Sequence, residues 1–277
     1  MATTTGTTAF NLDINDLIEE AFERCGQELR TGYNFRTARR SLNLLTIEWA
    51  NRGLNFWTVE QGQIPMVTGQ AIYPMPTDTI NLLDTVIRQS NGTSNQIDIN
   101  ISSISESTYM SLPNKLAQGR PIQVWYNRQS GQENITTVYL TQSINSTDTT
   151  ITVSDVSQLT TAGFVKIENE IINYSYISGN TLYNCFRGQQ NTTAASHADN
   201  TAVYWQQVPA ITVWPTPDNA QQYQFVYWRL RRTQDAGGGV NIMDVPFRFI
   251  PCMAAGLSYY IAGKIPMGME RLPFLKQ

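Results

Sequence analysis

His197 is the single histidine of the 277-residue chain, so any histidine-based triad must run through it. No Gly-x-Ser-x-Gly elbow accompanies it, and beside Ala194-Ala195-Ser196 it reads as a loop hydrogen-bonding group before it reads as a general base. Glu168 and Glu170 stand two apart, a spacing that places both carboxylates on one face of a strand and imitates a glycosidase pair. The charged outer face of a hairpin is the simpler reading. Gly237-Gly238-Gly239 follows a strand, but no Gly-Lys-Ser/Thr follows it, so it reads as a flexible loop and not as a phosphate cradle. Cys25, Cys185 and Cys252 are odd in number, far apart and each set in an apolar pattern, which favours buried thiols over disulfides or a metal site. The expectation is a protein that is not an enzyme, with no catalytic residue, no metal and no cofactor.

Other residues are suited to contact. Arg36, Arg39 and Arg40 crowd the start of a helix, where the dipole gives cations no help; a solvated basic turn competes with a partner or phosphate contact. Trp228 lies near Arg231 and Arg232, which could pair with carboxylates of a neighbouring subunit or end a solvated strand. The segment Ile265 to Gln277 offers Leu272, Phe274 and Leu275 as apolar anchors, with Lys276 after them, in a composition that would order on a partner and not alone. Six Trp and thirteen Tyr suit a chain that buries large flat interfaces. A net charge of −3 leaves no global basic field for nucleic acid or anionic lipid.

The elements that must position these residues are legible from periodicity. Ile14, Leu17, Ile18, Ala21, Phe22, Cys25 and Leu29 follow the rhythm of one helical face, with Asp13 as N-cap. A second helix is predicted from about Phe35 to Arg52, joined to the first by a loop containing Gly32 and ended at Gly53. The period then changes to two. Ile64 to Met66 and Ala71 to Tyr73 look like a hairpin, Asn81 to Arg88 pairs with Ile97 to Ile101, and Ser103 to Leu112 is a short helix stopped by Pro113. Pro121 to Arg128, Ala210 to Trp214 and Gln222 to Arg229 add strands before a last helix from about Pro246 to Lys264. The start, Met1-Ala2-Thr3-Thr4-Thr5, has no apolar core of a signal peptide and reads as a loose arm. The apolar run Phe249 to Ala262 is too short to span a bilayer, so no membrane contact is expected.

Residues 132–208 differ from their flanks: they are rich in Thr, Asn and Ser, poor in charge, and broken into six short strands. Those strands are Thr136 to Thr141, Thr149 to Val153, Phe164 to Glu168, Ile171 to Ile177, Leu182 to Phe186 and Ala202 to Gln206, with a tight turn at Gly179-Asn180. The predicted class is therefore α+β. A host domain, residues 1–131 and 209–277, combines a helical bundle (an N-terminal helix hairpin plus a C-terminal helix) with an antiparallel sheet region, and 132–208 is an inserted all-β barrel or sandwich.

The two N-terminal helices are followed by Gly69-Gln70-Ala71-Ile72-Tyr73-Pro74-Met75-Pro76, Gly119-Arg120-Pro121, Trp214-Pro215-Thr216-Pro217-Asp218, Tyr227-Trp228 with Arg231-Arg232, and Asp244-Val245-Pro246-Phe247-Arg248-Phe249 before an Ala/Gly/Tyr helix. This series resembles the head-to-tail adaptors of short-tailed bacteriophages, also called tail accessory or connector proteins. The resemblance covers most of residues 10–265 apart from the insertion. It implies a structural virion protein assembled in the host cytoplasm and placed at the portal–tail junction. Twelve copies would form a ring beneath the portal protein, carry the tail nozzle protein and, by extension, tail fibres, and enclose a channel that DNA traverses during genome ejection without specific binding. The chain departs from the family in its large insertion and in its brief C-terminal tail. Within the insertion, the run Gly163 to Tyr174, then Cys185-Phe186-Arg187-Gly188 and Ala194-Ala195-Ser196-His197, resembles a small β-module of phage structural proteins. A carbohydrate-binding or cell-wall-degrading tail protein is the alternative reading; a nucleic-acid-binding protein ranks last because of the acidic balance.

Overall fold

A computed structural model of the chain describes residues 10–29, 31–54, 56–129 and 133–275. The expected arm at Met1 to Thr5, the first inserted residue Gln132 and the candidate Lys276 lie outside the described residues. The architecture is α+β, with five α-helices and several mainly antiparallel sheets among the described residues, none closed into a barrel. No described helix is long and apolar enough to cross a membrane.

The helices are α1 (Ile14–Arg24), α2 (Gly32–Asn51), α3 (Glu106–Met110), α4 (Ile250–Ala262) and α5 (Leu272–Leu275). The strands begin with β1 (Val59–Pro65), β2 (Ile72–Pro74), β3 (Thr79–Gln89), β4 (Ile97–Asn100), β5 (Ser102–Ser103), β6 (Gln118–Gly119) and β7 (Gln123–Asn127). They continue with β8 (Glu133–Tyr139), β9 (Thr150–Thr152), β10 (Gly163–Ile167), β11 (Glu170–Tyr174), β12 (Tyr176–Ser178), β13 (Thr181–Tyr183), β14 (Phe186–Gln189) and β15 (Ala202–Gln206). The last three are β16 (Ala210–Trp214), β17 (Thr216–Pro217) and β18 (Tyr223–Arg231). Contacts divide the chain into two compact units, Met1–Val59 with Arg232–Gln277, and Glu60–Arg231.

In the helical unit, Asp13 caps α1 as its sequence predicts, its carboxylate accepting the Asp16 N–H at 2.8 Å. The apolar face of α1 is buried with Ala38, Leu42 and Leu45 of α2 and Met253, Ala254, Leu257 and Ile261 of α4. Each such Leu or Ile contributes roughly 1.5–3 kcal/mol on burial, and this shared core, more than intrinsic propensity, holds the helices. Three expectations change here. α1 stops at Arg24 and not near Leu29, because Gly26 turns the chain with φ +71. α2 begins earlier, at Gly32, because the Thr31 hydroxyl accepts the Asn34 N–H at 3.2 Å and makes Thr31 the N-cap. Cys252 is exposed, whereas Cys25 and Cys185 are buried.

The triple-glycine loop is anchored by its carbonyls. Gly239 accepts the Asn15 N–H at 3.0 Å and Asn241 accepts the Ile14 N–H at 2.8 Å, which satisfies free donors at the start of α1. A side chain at Gly239 would meet the Asn15 side-chain amide at 2.1 Å, so any other residue there requires Asn15 to swing aside. Carbonyls aimed at a helix are the opposite of a phosphate cradle.

In the β-rich unit, one sheet runs β1-β18-β3-β4 and another β2-β16-β7-β5, and Tyr73, Ile87, Val124, Ile211, Phe225 and Tyr227 share one core. β3 and β4 pair as predicted, with Ile87 opposite Ile99. The expected hairpin between Ile64–Met66 and Ala71–Tyr73 does not form: β1 neighbours β18, while β2 pairs with β16 in the other sheet. The turn between them is instead pinned by Tyr73, whose hydroxyl accepts the Val67 N–H at 2.9 Å and donates to the Val67 carbonyl at 3.1 Å.

β7 and β16 pair antiparallel, with Gln123 opposite Trp214 and Asn127 opposite Ala210. The chain thus leaves this sheet and returns to it at adjacent points. Between them lie a five-stranded sheet, β14-β11-β10-β15-β8, and a three-stranded sheet, β12-β13-β9, over one core that includes Val138, Ile151, Ile172, Tyr174 and Leu182. The predicted strand Ile171 to Ile177 is really β11 and β12, and Leu182 to Phe186 is really β13 and β14, because the chain passes from one sheet to the other at Ser175 and at left-handed Asn184 (φ +50). The β12–β13 turn falls at Gly179, φ +56, where Gly179-Asn180 predicts it. Phe164 and Ile171 pack with Val208, Ala210 and Ile72, so these strands rest on the neighbouring sheet.

Candidate functional site

The residues that sequence singles out for chemistry converge on one buried cluster. Glu168 and Asn169 are the two-residue turn between β10 and β11, with Glu168 left-handed at φ +51, and Glu170 is the first residue of β11. The turn separates the two carboxylates that simple alternation places together. Glu168 remains exposed, but the Glu170 side chain is only 1% exposed, which overturns its assignment to a charged outer face.

Burial without partners would cost several kcal/mol, so the donors around Glu170 decide its role. Arg187 on β14 donates from Nε to Oε1 at 2.9 Å and from Nη2 to Oε2 at 2.7 Å. The Gly188 N–H reaches Oε1 at 3.0 Å and the Ala195 N–H reaches Oε2 at 3.1 Å. His197 Nε2 lies 2.9 Å from Oε2, and its Nδ1 lies 2.8 Å from Glu168 Oε2. Arg187 also donates to the carbonyls of Asn145 and Ala195, and His197 exchanges backbone bonds with Ile144. Burial pushes the Glu170 carboxyl up, but the bonds from Arg187, His197 and the two amides outweigh it and hold the group at about 2. Every oxygen is occupied by the fold. The cluster ties the β10–β11 turn, β14 and the two loops at 144–145 and 194–197 together, and Glu170 has no oxygen left for a substrate. His197 has the hydrogen-bonding role that its sequence suggests. Burial pushes the Cys185 thiol up to about 12, well away from nucleophile behaviour, and no group of His, Cys, Asp and Glu among the described residues could hold a metal.

The candidate contact residues differ in partners and in exposure. On β18, Arg231 Nε is spent on Glu60 at 2.5 Å, and Arg229, which sequence reasoning passed over, bridges Asp78 at 2.5 Å and Glu60 at 3.0 Å. Trp228 is half-buried and Arg232 exposed. On α2, Arg39 is half-buried with Nη1 3.4 Å from the Gly237 carbonyl, while Arg36 and Arg40 are exposed and lie beyond the first helical turn. Arg40, Leu44 and Ile47 follow at i, i+4 and i+7 and form one stripe, with Leu44 48% and Ile47 54% exposed. Asp16, Glu19 and Glu23 make an exposed acidic stripe on α1.

No protein-family model matches the chain, and no curated protein matches it. The surface itself must therefore carry the reading. Of the twenty large exposed apolar side chains among the described residues, twelve belong to the helical unit and one, Tyr139, to the stretch from β8 to β15. Unpaired apolar surface is thus concentrated where the helices are.

The C-terminal segment corrects an expectation. A 3-10 turn at Pro266–Arg271 and α5 fold Leu272 and Leu275 against the chain's own helical core, so this segment does not wait for a partner to order. Phe274 alone of the three apolar anchors points outward, at 79% exposure.

Proposed function

We propose that the chain is a structural connector, a head-to-tail adaptor that forms a ring beneath a portal and carries the tail nozzle. The observation that supports this most is the concentration of exposed apolar side chains on the helical unit, since a protein that works by contact must leave its contact surface unpaired. In this reading α1, α2 and α4 form the bundle of the adaptor, and 132–208 is an inserted two-sheet sandwich. A ring needs a heterologous contact, one surface of each copy against a different surface of the next. The basic and apolar stripe of α2, Arg36, Arg40, Leu44 and Ile47, and the acidic stripe of α1 are complementary in sign and suit the two sides of that contact. With a net charge of −3 per copy, the channel needs no basic lining, and DNA slides through without specific binding.

Phe274 is the candidate portal anchor. Phe274→Ala should leave thermal stability within about 0.5 kcal/mol, because the ring is exposed, and should weaken co-sedimentation with the portal. Leu275→Ala, in contrast, should cost about 1 kcal/mol or more of stability because that side chain packs on the core. Equal portal binding by Phe274→Ala would remove this anchor from the account.

The insertion reading has its own test. Because Asn127 already faces Ala210 across a ladder, replacing residues 132–208 by Asn-Gly should leave β7 and β16 joined as a hairpin with a short loop. The shortened chain should unfold cooperatively and still assemble on the portal, with a modest loss from uncovering Ile72. A shortened chain that is molten in near-UV circular dichroism would show that 132–208 belongs to the host core.

A further inference from the structure

We propose that a cleft in the β-rich unit, where β7 and β16 meet the β10–β15 pair, binds a neutral oligosaccharide. The inference goes beyond the connector reading and does not rest on it. The cleft has a volume of about 470 Å³, in the size range of small-ligand sites. Tyr109 of α3 and Trp125 of β7 stack at 5.4 Å between ring centroids, and with Trp205 of β15 they give it rigid aromatic walls. Such rings take the apolar C–H face of a pyranose while the sugar's hydroxyls reach polar groups at the edges.

Those polar groups are present in the lining. Gln206 Oε1 and Ser175 Oγ both belong to cleft-lining residues, both atoms are buried, and neither finds a hydrogen-bond partner among the described residues. A buried acceptor without a donor is costly, so a rotation that turns either side chain towards a ligand hydroxyl in the cleft would relieve that cost. Asn127 adds an amide to the same wall. Charge decides the ligand class. No Asp or Glu lines the cleft among the described residues, and its single cation, Lys115, donates to the Met110 and Leu112 carbonyls at 3.3 and 3.1 Å while lying 5.5 Å from the Tyr109 ring centroid. Lys115 keeps its charge but spends its protons on those two carbonyls, so an acidic ligand would have to displace them, and among the described residues the lining holds no carboxylate for a basic ligand and no carboxylate pair for glycoside hydrolysis, so the cleft recognises and does not cleave.

The test uses the full-length protein on an array of neutral and acidic glycans together with a short-peptide library, followed by tryptophan-fluorescence titration of the hits. Neutral glycans should bind saturably with Kd at or below about 1 mM. Gln206→Ala should weaken that binding about tenfold without moving the thermal midpoint, and Tyr109→Ala, on the short exposed helix, should weaken it as well if Gln206→Ala perturbs folding. Binding to acidic glycans alone, to peptides alone, to nothing on the array, or to neutral glycans with unchanged affinity in both variants would overturn the proposal.

Discussion

Glu170→Ala should lower the stability of the chain by about 3–5 kcal/mol, the range for removing one partner of a buried ion pair. The substitution strands Arg187, whose side chain is 7% exposed, and leaves the Gly188 and Ala195 amides and His197 Nε2 without their acceptor. Marginal stabilities of about 5–15 kcal/mol make that a large fraction of the whole, visible as a fall of roughly 10 °C or more in the lowest thermal transition. Glu168→Ala is the control: its carboxylate is 62% exposed, and its loss should cost no more than about 1 kcal/mol. The same carboxyl sets a pH dependence. Held at about 2 against an ordinary 4.5, it contributes stability that is fully present above about 4.5 and is lost as pH falls towards about 2. Denaturant unfolding at pH 7, 4.5, 3 and 2 should show this loss in the native chain and a smaller one in Glu170→Gln. Equal acid sensitivity, or a Glu170→Ala protein as stable as the native one, would mean that the cluster does not hold this part of the fold.

Leu44→Asp with Ile47→Asp should abolish ring formation while leaving the fold intact. Both side chains are about half exposed on α2, outside the core made by Ala38, Leu42 and Leu45, so the exchange removes little packing. In an assembled ring the same positions would bury two carboxylates, one turn of helix from each other, against the acidic stripe of α1, a penalty of about 3 kcal/mol or more per contact and at least about 100-fold in affinity. Circular dichroism should match the native protein, and analytical ultracentrifugation in the presence of portal should show no closed assembly. A double variant that assembles normally would place the lateral contact elsewhere.

Much of the helical unit was legible because a helical face repeats within a few residues. The α1 stripe and its Asp13 cap are local, and both appear where periodicity puts them. Cys252 could have been placed correctly too: the buried positions of α4 run Ile250, Met253, Ala254, Leu257 and Ile261, and Cys252 falls off that stripe. Alternation marks β1 and β2 as strands but carries no information about which sheet each joins, so a hairpin was predicted where the chain crosses between sheets. The Glu170 cluster lay further from view. Its partners stand 17 and 27 residues away, and a two-residue turn at Glu168 breaks the alternation on which the outer-face reading depended. A lone His and an Arg-Gly pair in a charge-poor stretch are the signal that could have marked Glu170 as their common acceptor. Exposure of the α2 stripe needs the packing: Leu44 and Ile47 are apolar residues at helical spacing, and only the core shows that Ala38, Leu42 and Leu45 on the other side of α2 are the ones buried.

Electron microscopy of the purified chain mixed with its cognate portal tests the connector reading most directly. The account predicts a closed ring of chains stacked on one end of the portal, with the helical units in mutual contact, the 132–208 region at the outer edge, and an open central channel. Portal particles without added density, or single chains bound without lateral contact between their helices, would contradict it.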